Sequence, residues 1–381
     1  MPRAATLQLK ALTSLRLFAA LYVVLFHFWV DKVLAGGPWW YENFASIGYV
    51  GVNCFFVLSG FILVYTYAGG SAQFDAVKLD AGRFWRARFA RIYPAYGVSL
   101  LVSAPFFFYA VRQLDIPFYA WSKQHLVAAG VLTFSLLQAW VPQGALTWNP
   151  VCWSLSVEAF FYLLFPVLVP WSARLGSRQL LLGIAGCSLV SLSFSFLYIF
   201  LHPDGIDKLN SGETTLLWKN ILSFNPLVRL PEFVTGMLAG RLFLAGGGDP
   251  HQHRLALPLV LGGLAVLAIL TTFADRIPHP AISAGFLSPA FAAVIYGLAL
   301  RPRWASWLEA GWLVLLGEAS YSLYLLHSTV ISKIFESLPD LPQGLRVAAA
   351  VAAAIVASLL CFGLVEQPAR RLLRPKKAAL G

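Results

Sequence analysis

Charge is scarce in this chain, and sulfur scarcer. Asp, Glu, Lys and Arg make up 12% of the 381 residues, and there are four cysteines and two methionines. A soluble domain carries about twice that charged fraction, so an ordinary water-facing surface is excluded. Cys54, Cys152, Cys187 and Cys361 lie far apart inside apolar stretches. No CxxC or Cys/His spacing occurs, so the thiols read as packing groups and no metal is expected. The alternating period of an outer-membrane barrel strand is missing. So is a small-residue cleavage site after the first apolar run, which continues into "DKVLAGGPWWYENF" and should remain as a membrane span. No internal repeat or low-complexity segment is evident.

What fills the chain instead is hydrocarbon. Apolar residues make up 59% and the mean hydropathy is +0.70. Many runs reach the 17 to 25 residues needed to cross about 30 Å of lipid as a helix. The expected fold is an all-α polytopic membrane protein forming one domain over residues 1–381. The net charge of +11 then reflects basic cytoplasmic loops, with membrane lipids rather than nucleic acid as partners.

Eleven apolar runs stand out, at roughly 12–30, 47–67, 93–111, 125–141, 150–170, 179–201, 227–244, 255–273, 282–300, 311–335 and 345–366. If 125–141 re-enters or lies in the interface, about ten helices cross and both termini share a side. That side then holds 19 of the 28 Lys and Arg, among them Arg3, Lys78, Arg374, Lys376 and Lys377. By the positive-inside rule it is cytoplasmic, giving an N-in, C-in protein. Arg16 falls near the inner end of the first span, and His27, Glu158 and His327 fall in outer halves.

Ionisable groups within a span cost at least ~2.5–3.5 kcal/mol each and are usually functional. Arg16 and His27 are 11 residues apart, three turns plus about 20°, so they share a helix face about 16 Å apart. Snorkelling would explain Arg16, but His27 is deep, and a neutral imidazole is a natural general base for a hydroxyl. In "NPVCWSLSVEAFFYLLFP", Glu158 opens an apolar helix with Ser154 one turn before it. It could orient an imidazole or simply complement the helix dipole. "RFWRARFARIYPAY" carries Arg83, Arg86, Arg88 and Arg91, with Trp85, Phe89 and Ile92 on an apolar stripe. It suits an interfacial helix on anionic lipid or a polyphosphate clamp. "LGEASYSLYLLHSTVI" holds Glu318 and His327 with Tyr321 and Tyr324 between them.

Together these stretches resemble the acyltransferase-3 family of integral membrane acyltransferases. The matches are Arg16-x10-His27, "GYVGVNCFFVLSGFIL" (48–63), "RFARIYPAY" (88–96), "WSLSVEAFFYLLFP" (153–166), "RLPEFVTGMLAG" (229–240), "LGEASYSLYLLH" (316–327) and "VEQPARRLL" (365–373). They occur in order along nearly the whole chain. The resemblance implies transfer of an acyl group, usually acetyl from acetyl-CoA, to a hydroxyl of a carbohydrate. Typical acceptors are exopolysaccharide, O-antigen, peptidoglycan or nodulation factors, and some relatives act on macrolides. It implies His27 as the catalytic histidine and Arg16 as its motif partner. Arg88 and Arg91 match the pair that holds the CoA phosphates. Many relatives add an SGNH hydrolase-like domain; the ending "RRLLRPKKAALG" leads us to expect a stand-alone membrane module.

Joined, these readings make CoA thioester the donor, held by Arg88 and Arg91, with Arg16 guiding the arm. His27 is the base or acyl carrier, and Glu158 orients it. Ser154, Ser156, Tyr321 and His327 are candidate oxyanion or substrate ligands. The rival readings are a proton-coupled saccharide transporter or flippase using His27 and Glu158, and a scaffold subunit of a polysaccharide-synthesis complex.

Overall fold

The structure is a computed structural model describing residues 8–68, 79–209, 213–246 and 250–373; for 68 and 250–252 it describes backbone alone. Of the basic residues named for topology, Arg3, Lys78, Arg374, Lys376 and Lys377 lie outside this set. The described residues are helical throughout, with no strand among them. In order come α1 (Lys10–Val30), α2 (Trp39–Ser46), α3 (Gly51–Ala68), α4 (Ala81–Gln113), α5 (Ala120–Gln124), α6 (Leu126–Phe134), α7 (Trp153–Ala173) and α8 (Ser177–Leu201). They are followed by α9 (Leu217–Phe224), α10 (Pro226–Ala245), α11 (Pro250–Thr272), α12 (His279–Ser283), α13 (Ser288–Ala299), α14 (Gly311–Ser337), α15 (Gln343–Cys361) and α16 (Gln367–Leu373).

Among the described residues eight helical stretches are long and apolar enough to cross a bilayer, which makes this a multi-pass membrane protein. α10 and α14 are not among the eight. At 20 and 27 residues they have the length, but they carry polar groups such as Arg229, Glu232, Glu318 and His327. Their position in the bundle explains this. The stretch Ala319–His327 is buried all round, so along it α14 meets protein, not lipid, on every side. By contrast, the outer helices α8 and α11 expose leucines such as Leu189 and Leu261, as lipid-facing helices should.

Run 125–141 forms α6, nine residues and about 14 Å long, too short to cross. The chain then passes through short 3-10 turns at Gln138–Trp140, Pro142–Gly144 and Pro150–Cys152. Non-helical backbone at such depth needs its carbonyls satisfied by protein. Tyr93, Tyr96 and Tyr119 supply hydroxyl donors to Phe134 O, Thr133 O and Trp148 O, at 2.9, 2.7 and 3.2 Å. Gln138 and Asn149 donate to Cys152 O at 2.9 Å and Leu325 O at 3.0 Å.

"RFWRARFAR" is not a separate interfacial helix. Asp80 caps α4 by accepting from Arg83 N at 2.9 Å, and the helix then runs unbroken through Pro94 and Pro105 for 33 residues. Helix pairing is closest where glycine removes a side chain. A Cβ on Gly317 of α14 would lie 2.1 Å from Thr13 O of α1. One on Gly236 of α10 would lie 1.9 Å from Val57 O of α3. The first contact matters for the site, because it sets α1 against α14 over their whole length.

Candidate functional site

From Gly317 the two helices run side by side in the same direction. Leu17 and Ala20 pack with Leu313 and Leu323, and further along Val24 and Phe28 pack with Ile331. This register brings together the two histidines that the sequence separates by 300 residues. His327 Nε2 lies 3.2 Å from His27 Nδ1, and the rings are 4.8 Å apart, nearly edge to face. His27 Nδ1 is also 2.9 Å from Val23 O. His327 is fully buried, with Nδ1 at 2.8 Å from Tyr324 O and 3.2 Å from Leu323 O.

Toward the other end of the seam, Arg16, Arg88 and Arg91 converge on a cavity of about 130 Å³, together with Glu158, Ser154 and Tyr324. Arg91 donates to Glu366 at 3.2 Å and its guanidinium lies 5.7 Å over the Tyr321 ring. Glu366 also accepts from Arg370 and from the Ser322 hydroxyl. It stands at the end of a π-helical turn, Phe362–Glu366, an irregularity often found at functional sites. Arg88 is packed among the rings of Tyr67, Phe84 and Tyr162 at 5.7 to 5.9 Å. Its buried Nε has no hydrogen-bond partner among the described residues, which leaves a charged donor that an anion would satisfy.

Between the two ends, Tyr324 closes the cavity. Its hydroxyl donates to Val151 O at 2.8 Å and lies 2.8 Å from Ser154 Oγ. Its ring lies 6.1 Å from that of His327. Neither histidine lines the cavity; they stand behind Tyr324.

Glu158 makes no hydrogen bond to His27 among the described residues. It lines the cavity with the arginines, accepting from Ser59 at 3.3 Å and from the Tyr162 hydroxyl. The physical reason is that α7 begins at Trp153, inside the bundle at the end of the buried 3-10 turns. Glu158 is therefore more than a turn into a helix that starts deep. Ser156 does not reach the cavity either; its oxygen accepts from Ala139 N at 3.3 Å and steadies the irregular segment. Tyr321 lines the cavity, but its hydroxyl is committed to Ile92 O at 3.0 Å. Arg83 and Arg86 are exposed, Arg83 lying near Asp80.

Two site residues escape a reading by span depth. Glu366 lies at the end of its apolar run, where it passes for a loop acid, and Tyr324 passes for a belt tyrosine. The motif pair Arg229 and Glu232 forms a buried ion pair at 3.0 Å. Arg229 also donates to Asn53 at 2.8 Å and to Ser283 O. That network ties α10 to α3 and α12, and the Arg229 guanidinium lies 5.5 Å over the ring of Phe56, on the cavity wall, without lining the cavity itself. The cysteines are free thiols, and among the described residues no group of three His, Cys, Asp or Glu could hold a metal ion.

With this geometry in view, comparison with known sequences is decisive. The profile of an acyltransferase domain, acyltransferase-3, matches residues 9–366. The chain belongs to the acyltransferase-3 family. It is similar to acyltransferase MdmB of Streptomyces mycarofaciens, at 29% identity over 96% of this chain and 92% of that protein. It also resembles O-acetyltransferase OatA of Staphylococcus aureus, at 26% identity over 85% of this chain but half of OatA. Protein 2 in the picA locus of Rhizobium radiobacter matches 47% of the chain at 27% identity. No solved structure matches. The chain is thus a multi-pass membrane protein of an acyltransferase family.

Proposed function

We propose that the protein moves an acyl group, acetyl first of all, from cytoplasmic acyl-CoA to a hydroxyl of a carbohydrate acceptor across a bacterial inner membrane. One observation carries this reading. Three arginines gather at one end of a cavity, and the cavity's far wall backs onto a histidine pair. The arginine end lies on the side that the positive-inside rule makes cytoplasmic. Arg16, Arg88 and Arg91, with the unpartnered Arg88 Nε, suit the phosphates of CoA, which arginine grips through paired donors. The carbohydrate class of the acceptor rests on the family resemblance.

The chemistry assigned to this chain's residues is compact. His27 takes the proton of the acceptor hydroxyl as its oxygen bonds to the thioester carbonyl carbon. The Ser154 and Tyr324 hydroxyls, which line the cavity 2.8 Å apart, are the donors assigned to the oxygen that becomes negative once they are released from Val151 O. When the carbon–sulfur bond breaks, the departing thiolate takes that proton from the imidazolium, so proton and electron pair balance. Tyr324 must swing off Val151 O for the arm to reach His27.

The test uses purified protein in nanodiscs, radiolabelled acetyl-CoA and a saccharide fraction from the producing cells. Wild type is expected to place base-labile label on the saccharide, and His27→Ala to lower kcat by ~10²–10⁴-fold. A folded His27→Ala protein with wild-type transfer overturns the assignment.

A further inference from the structure

The pairing of the histidines restricts where their protons sit. A carbonyl oxygen cannot donate, so a ring nitrogen within hydrogen-bond distance of one must carry the proton. His327 Nδ1 faces Tyr324 O at 2.8 Å and Leu323 O at 3.2 Å, so it is the protonated nitrogen of that ring. In a neutral imidazole the other nitrogen, Nε2, then holds a lone pair. That lone pair lies 3.2 Å from His27 Nδ1, which itself faces Val23 O at 2.9 Å. His27 Nδ1 therefore meets two acceptors and must be the donor to both. The reverse assignment would set lone pair against lone pair at Val23 O and again at the carbonyls around His327. A doubly protonated His327 would be a charge with full burial and no carboxylate among its hydrogen-bond partners, which is prohibitively costly.

We propose that His327 is a positioning residue. It fixes His27 in the Nδ1–H tautomer and thereby presents Nε2, which makes no hydrogen bond among the described residues, as the basic nitrogen that takes the acceptor's proton. This rests on His27 being the base. It differs from a direct role for His327 in holding substrate, since His327 acts through His27. The role usually given to a carboxylate beside a catalytic histidine is filled here by a second, neutral imidazole. Such a group brings no charge into the apolar interior. It also returns His27 to the same tautomer after each turnover, because after the proton leaves Nε2 the Nδ1 proton is still held by two acceptors.

Substitution at position 327 gives the test in activity. Gln can offer a side-chain oxygen near the place of Nε2, whereas Leu and Met cannot accept. His327→Leu and His327→Met are expected to lower kcat ~10²-fold or more while the apparent KM for acetyl-CoA stays within a few-fold, and His327→Gln to recover most of the loss. A purely structural role would move Gln and Leu together and would show in thermal unfolding. Selective nitrogen-15 histidine labelling of the wild-type protein in nanodiscs gives a second test that needs no turnover. Resonances are assigned by their loss in His27→Ala and His327→Gln. His27 is expected to show a pyrrole-type Nδ1 and a pyridine-type Nε2, and His327 the same pattern. A pyrrole-type Nε2 on His27 overturns the proposal, even if every variant at 327 misfolds. So does wild-type kcat in folded His327→Leu, or a folded His327→Gln as impaired as Leu. If His27→Ala itself keeps wild-type transfer, the reading of His27 as base has failed, an outcome distinct from the others.

Discussion

The two ends of the α1–α14 seam hold ionisable side chains in a bundle interior in opposite ways. At the arginine end the charges are real and only partly compensated. Arg91 and Arg370 share the buried Glu366, and Glu158 stands in the same cavity as Arg16 and Arg88. At the histidine end no carboxylate among the described residues hydrogen-bonds either ring; the partners are backbone carbonyls and the other imidazole, with Asp31, one turn beyond His27, acting through its charge alone. A guanidinium cannot discard its proton, so burial forces pairing upon it, and excess positive charge is what an anionic ligand can use. An imidazole can be neutral, so burial shapes its proton distribution instead. One end is built to hold a polyanion and the other to move one proton.

The sharpest way to break this comparison is to strike each end separately. His27→Ala should remove ~10²–10⁴-fold of kcat and leave acetyl-CoA affinity, measured by titration calorimetry, unchanged. Arg88→Ala with Arg91→Ala should do the reverse. A hydrogen bond to a charged group is worth about 1.5–3 kcal/mol, so affinity should fall ~10- to 100-fold for each arginine engaged, with kcat at saturating donor much less affected. If the arginine variants bind acetyl-CoA like wild type, the phosphate clamp is wrong. If both sets lose kcat alike, the two ends are not separate in function.

A smaller effect tests the seam that joins them. Gly317→Ala puts a methyl group 2.1 Å from Thr13 O, so α1 and α14 must part. Overpacking of this kind costs about 1–3 kcal/mol, and it should appear as a lower unfolding temperature in detergent. Because the His27–His327 distance depends on the same register, kcat should drop along with stability. A variant as stable and active as wild type would mean that the close approach at Gly317 does not set the histidine pair.

Much of this was legible in the chain. Arg16, His27, Arg88 and Arg91 announce themselves because charge in an apolar run is costly, and the polytopic fold follows from run length. Depth was harder to read. Counting from the start of an apolar run assumes that each helix begins at a membrane surface. α7 does not, since 3-10 turns deliver it to Trp153 already inside the bundle, and Glu158 bonds Ser59 and Tyr162 in the arginine cavity. Glu366 escapes notice for the mirror reason. It ends its run on paper, yet the π-helical turn carries it back beneath Arg91. The pairing of His27 with His327 depends on a glycine contact between helices 300 residues apart in sequence, which no local pattern encodes.

Glu158 offers the finest discrimination between the ends, because sequence and structure assign it differently. Gln in its place keeps an oxygen that can accept from Ser59 and Tyr162, so packing and local bonds survive and only the negative charge goes. If Glu158 oriented His27, neutralising it would cost kcat on the scale of a misplaced imidazole. In the cavity it faces arginines instead, where its charge opposes the binding of a second anion. Coulomb interaction at an effective dielectric near 20 is on the order of 1–2 kcal/mol at 8–15 Å, before screening. Glu158→Gln should therefore bind acetyl-CoA about 2- to 5-fold more tightly, with kcat changed less than ~10-fold and a steeper loss of affinity as salt is raised. Weaker donor binding, or a ~10²-fold fall in kcat at unchanged affinity, would return Glu158 to the histidine end.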